Sequence, residues 1–249
     1  MVEPFVSVII PSYDRFDSLL KAIESVKNQS FQDFEIIIVN DASTDERYYK
    51  HNFGNNVKFI NLKKNSVAEK GYFSDSIRNY GIEESKAKYV AFLDDDDYWM
   101  PNKLELQINK LESTEHKMSC SEAIANNGIY DKENNNKLYN QELMYNEISK
   151  IYKASSIKKQ FTKNLIFKFE YPEIWNGKFL KIHNCIITSS VLVERSLINK
   201  IGNFRDIQTK KLYADYDCWL GLLTHTDCYY FSSPLLYYNL NLGMNEATL

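Results

Sequence analysis

Glycine is scarce in this chain, eight among 249 residues, and none of the eight builds a phosphate-binding loop behind the first apolar run. A Walker loop is therefore excluded. Pro11-Ser12-Tyr13-Asp14 stands where a nucleotidyltransferase would carry a glycine-rich basic loop, so that class is disfavoured. Cysteine is also sparse: Cys120, Cys185, Cys218 and Cys228 lack the close spacing of a metal site and suit reduced, buried thiols better than a disulfide framework. Positive charge is not in excess, and a net charge of −3 argues against a nucleic-acid surface, which needs clustered lysine and arginine. No apolar run approaches the roughly 18–20 residues of a membrane span, and no signal-peptide pattern opens the chain. A soluble cytoplasmic protein is expected, with peripheral membrane contact left open. No Ser-His-Asp set is evident.

What is present is enough apolar material, 44% hydrophobic and 14% aromatic, for one globular unit. Phe5–Ile10, Glu35–Val39, Val57–Leu62 and Tyr89–Leu93 read as buried strands. Between them, Leu19, Ile23 and Val26 recur at helical spacing, with Asp14 or Asp17 as the cap, and Phe73, Ile77 and Tyr80 mark another helix. Leu104, Ile108 and Leu111 form a further helical face after Pro101. Strands apolar on both faces, alternating with helices, predict an α/β fold with a mostly parallel sheet. Residues 126–150 read as an Asn-rich excursion. Cys185–Thr188 and Val191–Val193 resume as sheet, Asp217–Leu223 is helical, and Cys228–Phe231 and Leu235–Tyr238 close as strands.

Ligands of such sheets gather at the carboxyl ends of the strands. Three polar clusters lie there: Ser12–Asp14, Asp41–Asp45 and Asp94–Asp97. Four consecutive carboxylates repel one another and resist desolvation. A hard divalent cation would account for them, the alternative being a solvated acidic turn.

Val6-Ser7-Val8-Ile9-Ile10-Pro11-Ser12-Tyr13, Val39-Asn40-Asp41-Ala42-Ser43-Thr44-Asp45 and Phe92-Leu93-Asp94-Asp95-Asp96-Asp97-Tyr98-Trp99 together resemble the signature blocks of family 2 glycosyltransferases. The resemblance is firm over the first hundred residues and looser to about Asn239. It implies a GT-A-type Rossmann-like fold, with residues 1–112 binding a nucleotide sugar and 113–249 binding the acceptor. It also implies that Asp94 and Asp96 form the Asp-x-Asp motif, Asp96 as direct ligand of Mn²⁺ or Mg²⁺ and Asp94 or Asp95 contacting ribose or water. Asp41 resembles the base-binding carboxylate, which accepts from the imide of uracil or thymine. Pro11, Ser12 and Tyr13 would line the base pocket, Tyr13 by stacking. Arg78 resembles the arginine that meets the diphosphate or the acidic run, although Ile77 and Phe73 replace smaller residues of the family. Asp215, in Tyr213-Ala214-Asp215-Tyr216-Asp217-Cys218-Trp219, resembles the general base, with Ala214 replacing a glutamate and Asp217 as a helix cap. Asn239 and Asn241 replace the family's arginine and histidine.

Trp99 and Trp175 are candidates for stacking on acceptor sugars. Trp219 reads as core. His183 either faces the acceptor or is a satisfied core histidine, and Asp45 reads as a structural cap. The expected activity is metal-dependent, inverting transfer from a nucleoside diphosphate sugar, UDP by default, to a hydroxyl acceptor such as a glycan. A non-catalytic binding relative, suggested by Ala214, Asn239 and Asn241, is the alternative.

Overall fold

Side-chain alternation divides the first strands between two cores. The computed structural model describes residues 3–70, 76–128, 137–146, 170–206 and 214–240. In β1 (Val6–Ser12), β2 (Phe34–Asn40) and β4 (Tyr89–Phe92), the residues Val6, Val8, Ile10, Ile36, Ile38 and Ala91 face one way. They pack against Leu19, Ile23 and Val26 of α1 (Phe16–Lys27) and Leu104, Ile108 and Leu111 of α5 (Lys103–Glu112). Ile9, Val39, Val90 and Phe92 face the other way. They meet Ile77 and Ile82 of α4 (Ile77–Glu84), Leu197 and Ile198 of α7 (Arg195–Lys200), and Trp219 and Leu222 of α8 (Ala214–Leu222). A period of two in a strand buried on both sides produces this partition.

With β3 (Val57–Asn61), the first four strands pair in parallel in the order β3-β2-β1-β4. The short helices α2 (Arg47–Lys50) and α3 (Ser66–Lys70) fill the connections around β3. Beyond β4 the sheet continues through β9 (Leu192–Glu194), β6 (Met118–Asn126), β10 (Cys228–Asn239) and β5 (Tyr98–Trp99), so it crosses the expected boundary at residue 112 without a break. Strand β9 is antiparallel to both of its neighbours. The small strands β7 (Lys137–Leu138) and β8 (Ile174–Trp175) add to β6 and β10, and α6 (Gly177–Leu180) follows β8.

Several expectations need correction. Strand β6 is buried between β9 and β10, yet its sequence, Met-Ser-Cys-Ser-Glu-Ala-Ile-Ala-Asn, is too polar to read as a central strand. Cys185–Ile187 is not a strand, and a 3₁₀ turn, Thr188–Ser190, leads into β9. The two closing strands are one twelve-residue strand with a register shift at Pro234, where a proline has no N–H for the ladder. Tyr80 is exposed, and the buried face of α4 runs through Ile77, Arg78, Gly81 and Ile82. Phe73 lies outside the described residues.

Gly81 lets α4 lie close on β1: a Cβ there would stand 2.5 Å from Ile9 Cγ2. Ile9 is fully buried and has no room to yield. Overpacking of about 1–3 kcal/mol set against a helix-propensity gain of about 1 kcal/mol leaves a net loss of up to about 2 kcal/mol, so Gly81→Ala is expected to lower the melting temperature by up to ~4–8 °C. Thermal unfolding of the variant beside the parent checks this.

Candidate active site

The carboxyl ends of β1, β2 and β4 meet around the acidic run. After β4 the chain turns tightly, Asp97 N–H donating to the Asp94 carbonyl at 3.1 Å. This turn points the four carboxylates in different directions and gives them different partners. Asp94 is the most exposed of those in ion pairs, with 30% of its side chain accessible, and the buried Arg78 guanidinium donates to its Oδ1. Its backbone N–H donates to Ser189 Oγ at 2.9 Å. Asp95 is turned inward, its Oδ2 accepting from Ser12 Oγ at 2.6 Å and its Oδ1 from Arg15 Nη1 at 3.3 Å. Of the two carboxylates expected to face the donor, Asp94 is thus the accessible one and Asp95 its buried neighbour.

Asp96 Oδ2 lies 3.5 Å from Arg15 Nη1. Burial, then the charges of Asp94 and Asp95, push its carboxyl up to about 7. Asp97 serves the sheet: its Oδ1 accepts from Asn239 N–H at 3.0 Å. Its Oδ2 is buried without a hydrogen-bond partner. Burial and the charges of Asp96 and Asp94 raise its pKa well above the ordinary range. Asn239 therefore meets the acidic turn through its backbone, and its side-chain Oδ1 accepts from Gly128 N–H at 3.1 Å. Asn241 lies outside the described residues.

On the β2 side, Asp41 is buried and engaged by its own chain. Its Oδ1 accepts from Ser66 N–H at 2.8 Å, and its Oδ2 from Ser66 Oγ at 2.6 Å and Asn65 Nδ2 at 3.1 Å. A carboxylate offers about four lone-pair sites, so a base would have to share it with these donors. Tyr13 is 43% exposed, and its phenol is pushed up by partial desolvation, then by the charges of Asp14 and Asp41. Pro11 is buried in β1, and the Ser12 hydroxyl is committed to Asp95.

Asp14 does not cap α1. At φ 49° it crosses to the next loop, accepting from Thr44 N–H at 2.7 Å and Asp45 N–H at 3.0 Å. Asp17 lies in the first turn of α1 and pairs with Arg47 without capping the helix. Asp45 does serve the start of α2, accepting from Arg47 N–H at 2.9 Å.

Asp215 sits half-buried in the first turn of α8, its Oδ1 accepting from Tyr216 N–H at 2.6 Å. Asn184 Nδ2 approaches its Oδ2 at 3.5 Å. The Tyr139 phenol is pushed up to about 12 by burial, then by Cys185 and Asp215. The Tyr139 ring meets Tyr238 edge-on, centroids 5.4 Å apart, and the charges of Asp97, Asp94 and Asp96 raise the Tyr238 phenol beyond what its burial does. Asp217 is no simple cap, since Arg205 grips it with two bonds of 2.6 and 2.7 Å. His183 is half-buried, its Nδ1 2.9 Å from the Asn184 carbonyl.

The tryptophan expectation is overturned. Trp99 is fully buried, its Nε1 donating to the Ser189 carbonyl at 2.8 Å and Lys103 Nζ lying 4.1 Å from a ring centroid. Trp175 is also fully buried and stacks on Tyr230 at 4.1 Å. Neither ring presents a face to a sugar, because each fills the core beneath the cleft. Trp219 is core, as expected.

Sequence reading missed four contributors. Arg15 faces Asp95 and Asp96, and adjacency to the Ser12–Asp14 cluster is its only signal. Asn79 exchanges two hydrogen bonds with Phe204, 2.8 and 3.0 Å, and Arg78 lies over the Phe204 ring, so the Gly202–Phe204 turn braces the helix that carries Arg78. Fully buried Glu122 accepts from the backbone N–H groups of Asn140 and Gln141, anchoring the π-helical turn Tyr139–Met144 that bears Tyr139. The fourth is the Tyr139–Tyr238 pair.

The acidic turn fits a divalent cation in donor chemistry. Its oxygens are hard, 30% of the Asp94 side chain is exposed, and Asp97 Oδ2 is a buried carboxylate oxygen without a hydrogen-bond partner. Among the described residues no three His, Cys, Asp or Glu side chains gather into a cage.

The profile of glycosyl transferase family 2 matches residues 7–192, and the chain belongs to that family. It is 30% identical over 219 residues to UDP-Glc:alpha-D-GlcNAc-diphosphoundecaprenol beta-1,3-glucosyltransferase WfaP of Escherichia coli, covering 88% of this chain and 70% of that protein. Among solved structures, S. aureus TarS 1-349 in complex with UDP-GlcNAc superposes at a TM-score of 0.64, with 16% identity over 98% of this chain and 61% of that one. The mannosyltransferase PcManGT from Pyrobaculum calidifontis, in complex with GDP-Man and Mn2+, superposes at 0.59, with 12% identity over 94% of this chain and 56% of that one. These likenesses identify the fold as GT-A type. The chain spans 15% and 63% of the length of two Rickettsia glycosyltransferases that it also matches. No helix among the described residues is long and apolar enough to cross a membrane.

Proposed function

We propose that the chain catalyses metal-dependent, inverting transfer of a sugar from a UDP-sugar to a glycan hydroxyl, with residues 1–112 holding the donor and 113–249 the acceptor. The observation that carries this reading is the meeting of Asp41, the Asp94–Asp97 turn and two arginines at the carboxyl ends of three parallel strands. Tyr13 stacks on the base, and Asp41 accepts from its imide. Asp94 and Asp96 hold Mn²⁺ or Mg²⁺, which when bound offsets the charge growing on the diphosphate as the glycosidic bond breaks. Arg78 pairs with Asp94 and holds it in place. Asp215 takes the acceptor's proton while the hydroxyl oxygen attacks the anomeric carbon from the face opposite the leaving group, which inverts that centre.

Melting the protein with Mn²⁺ and a panel of nucleotide sugars tests the donor. A cognate donor at about a hundred times its Kd should stabilise by ~2.7 kcal/mol, a rise of about 5–10 °C. WfaP carries UDP-glucose and lipid-linked N-acetylglucosamine in its name, so these are the first pair to assay for transfer. Indifference to every nucleotide sugar would sink the proposal, and donor binding without turnover on any acceptor would favour a binding relative.

A further inference from the structure

Where the chain leaves β4, its backbone is held by a residue 95 positions further on. Leu93 N–H still donates to the Ile9 carbonyl of β1 at 3.1 Å. The next amide, Asp94 N–H, donates instead to a side chain, Ser189 Oγ, at 2.9 Å. Ser189 is fully buried in the 3₁₀ turn Thr188–Ser190. Its carbonyl accepts from Trp99 Nε1 at 2.8 Å, so one residue meets the chain at both ends of the acidic run.

The 3₁₀ turn is itself anchored from α5. Gln107 Nε2 donates to the Ser190 carbonyl at 2.9 Å, and Gln107 Oε1 accepts from Lys103 Nζ at 2.6 Å. Both side chains are fully buried, and Lys103 Nζ lies against the Trp99 ring. Burying an amine and an amide is costly unless they are hydrogen-bonded, and this pair directs an amide N–H at the turn that bears Ser189. The neighbouring hydroxyl behaves differently. Ser190 is as buried as Ser189, but its Oγ donates to the Ile187 carbonyl at 2.7 Å, away from the acidic run.

We propose that Ser189 is a positioning residue of the acidic turn. Its hydroxyl fixes the backbone of Asp94, and so the direction in which the Asp94 carboxylate meets a cation and a nucleoside diphosphate. Arg78 pairs with that carboxylate, whereas Ser189 sets the backbone that bears it. Without the hydroxyl the turn populates other orientations as well. Apparent affinity then falls with the fraction of the protein competent to bind. This rests on the reading of the acidic turn as the donor site.

Titration calorimetry of the full chain with UDP in the presence of Mn²⁺, beside thermal unfolding of the same proteins, tests the role. Ser189→Ala should bind UDP about five- to tenfold more weakly than the parent, the size of one lost buried hydrogen bond. Ser190→Ala removes an equally buried hydroxyl from the same turn. It should lower the melting temperature to a similar extent while UDP affinity stays within about twofold of the parent. Ser189→Cys, which replaces the hydroxyl by a weak acceptor, is the second variant if the alanine protein does not fold. Parent-like UDP affinity in the Ser189 variants overturns the role, and so does an equal loss in Ser190→Ala. Failure of both Ser189 variants to fold where Ser190→Ala folds makes the residue structural and overturns it too. Failure of the parent to bind UDP with Mn²⁺ overturns the donor-site reading itself, and this inference with it.

Discussion

Asp96→Asn is expected to reduce transfer by about 10³-fold at saturating donor and acceptor, with Mn²⁺ dependence lost over the accessible range. The amide keeps the shape of the carboxylate but removes the anionic oxygens that hold a cation against the diphosphate. The fold should not suffer. Burial and the charges of Asp94 and Asp95 push the Asp96 carboxyl up to about 7, so the fold favours its uncharged form over the ionised one. Above pH 7 the ionised group is a burden on stability that asparagine does not carry. The variant should therefore melt at or above the parent temperature at pH 8 while failing to turn over. Release of UDP and differential scanning calorimetry check the two halves. Full activity in the variant would remove Asp96 from the chemistry.

Asp215→Asn is expected to cut turnover by about 10²–10⁴-fold, the range for loss of a positioned general base, while UDP affinity is unchanged. The prediction separates Asp215 from its neighbour two residues on. Asp217 is gripped by both sides of the Arg205 guanidinium fork, so Asp217→Asn should lower stability before it lowers turnover. Titration calorimetry with UDP and steady-state rates at saturating acceptor distinguish the cases. Comparable loss of UDP binding in Asp215→Asn would show damage to the donor side and overturn its assignment as base.

The first hundred residues were largely legible because their signals are local. A buried parallel strand must be apolar on both faces, so Val6–Ile10, Ile36–Val39 and Tyr89–Phe92 announce themselves, and the polar residues that follow must lie at the strand ends. The second half was less legible. Strand β6 buries Ser119, Ser121 and Glu122, polar residues that resemble a loop until the bonds from Asn140, Gln141 and Tyr230 to Glu122 are known. The tryptophans misled for a related reason. An indole beside a polar loop reads as a sugar platform or as core with equal ease, and only packing decides. Here Ser189 and Lys103 enclose Trp99, and Tyr230 encloses Trp175.

By itself the sequence determined the α/β alternation of the first hundred residues, the family blocks that lie in it, and the accumulation of four carboxylates behind β4. Each is written in neighbouring residues, where strand periodicity and charge are directly visible. Tertiary structure alone decided that the four carboxylates are unequal: Asp94 beside buried Arg78, Asp95 inward on Ser12, Asp96 near Arg15, and Asp97 on the backbone of Asn239. Those partners lie between 16 and 142 residues away in the chain. No local pattern encodes contacts of that separation, and they set which carboxylate meets a ligand and which one holds the sheet.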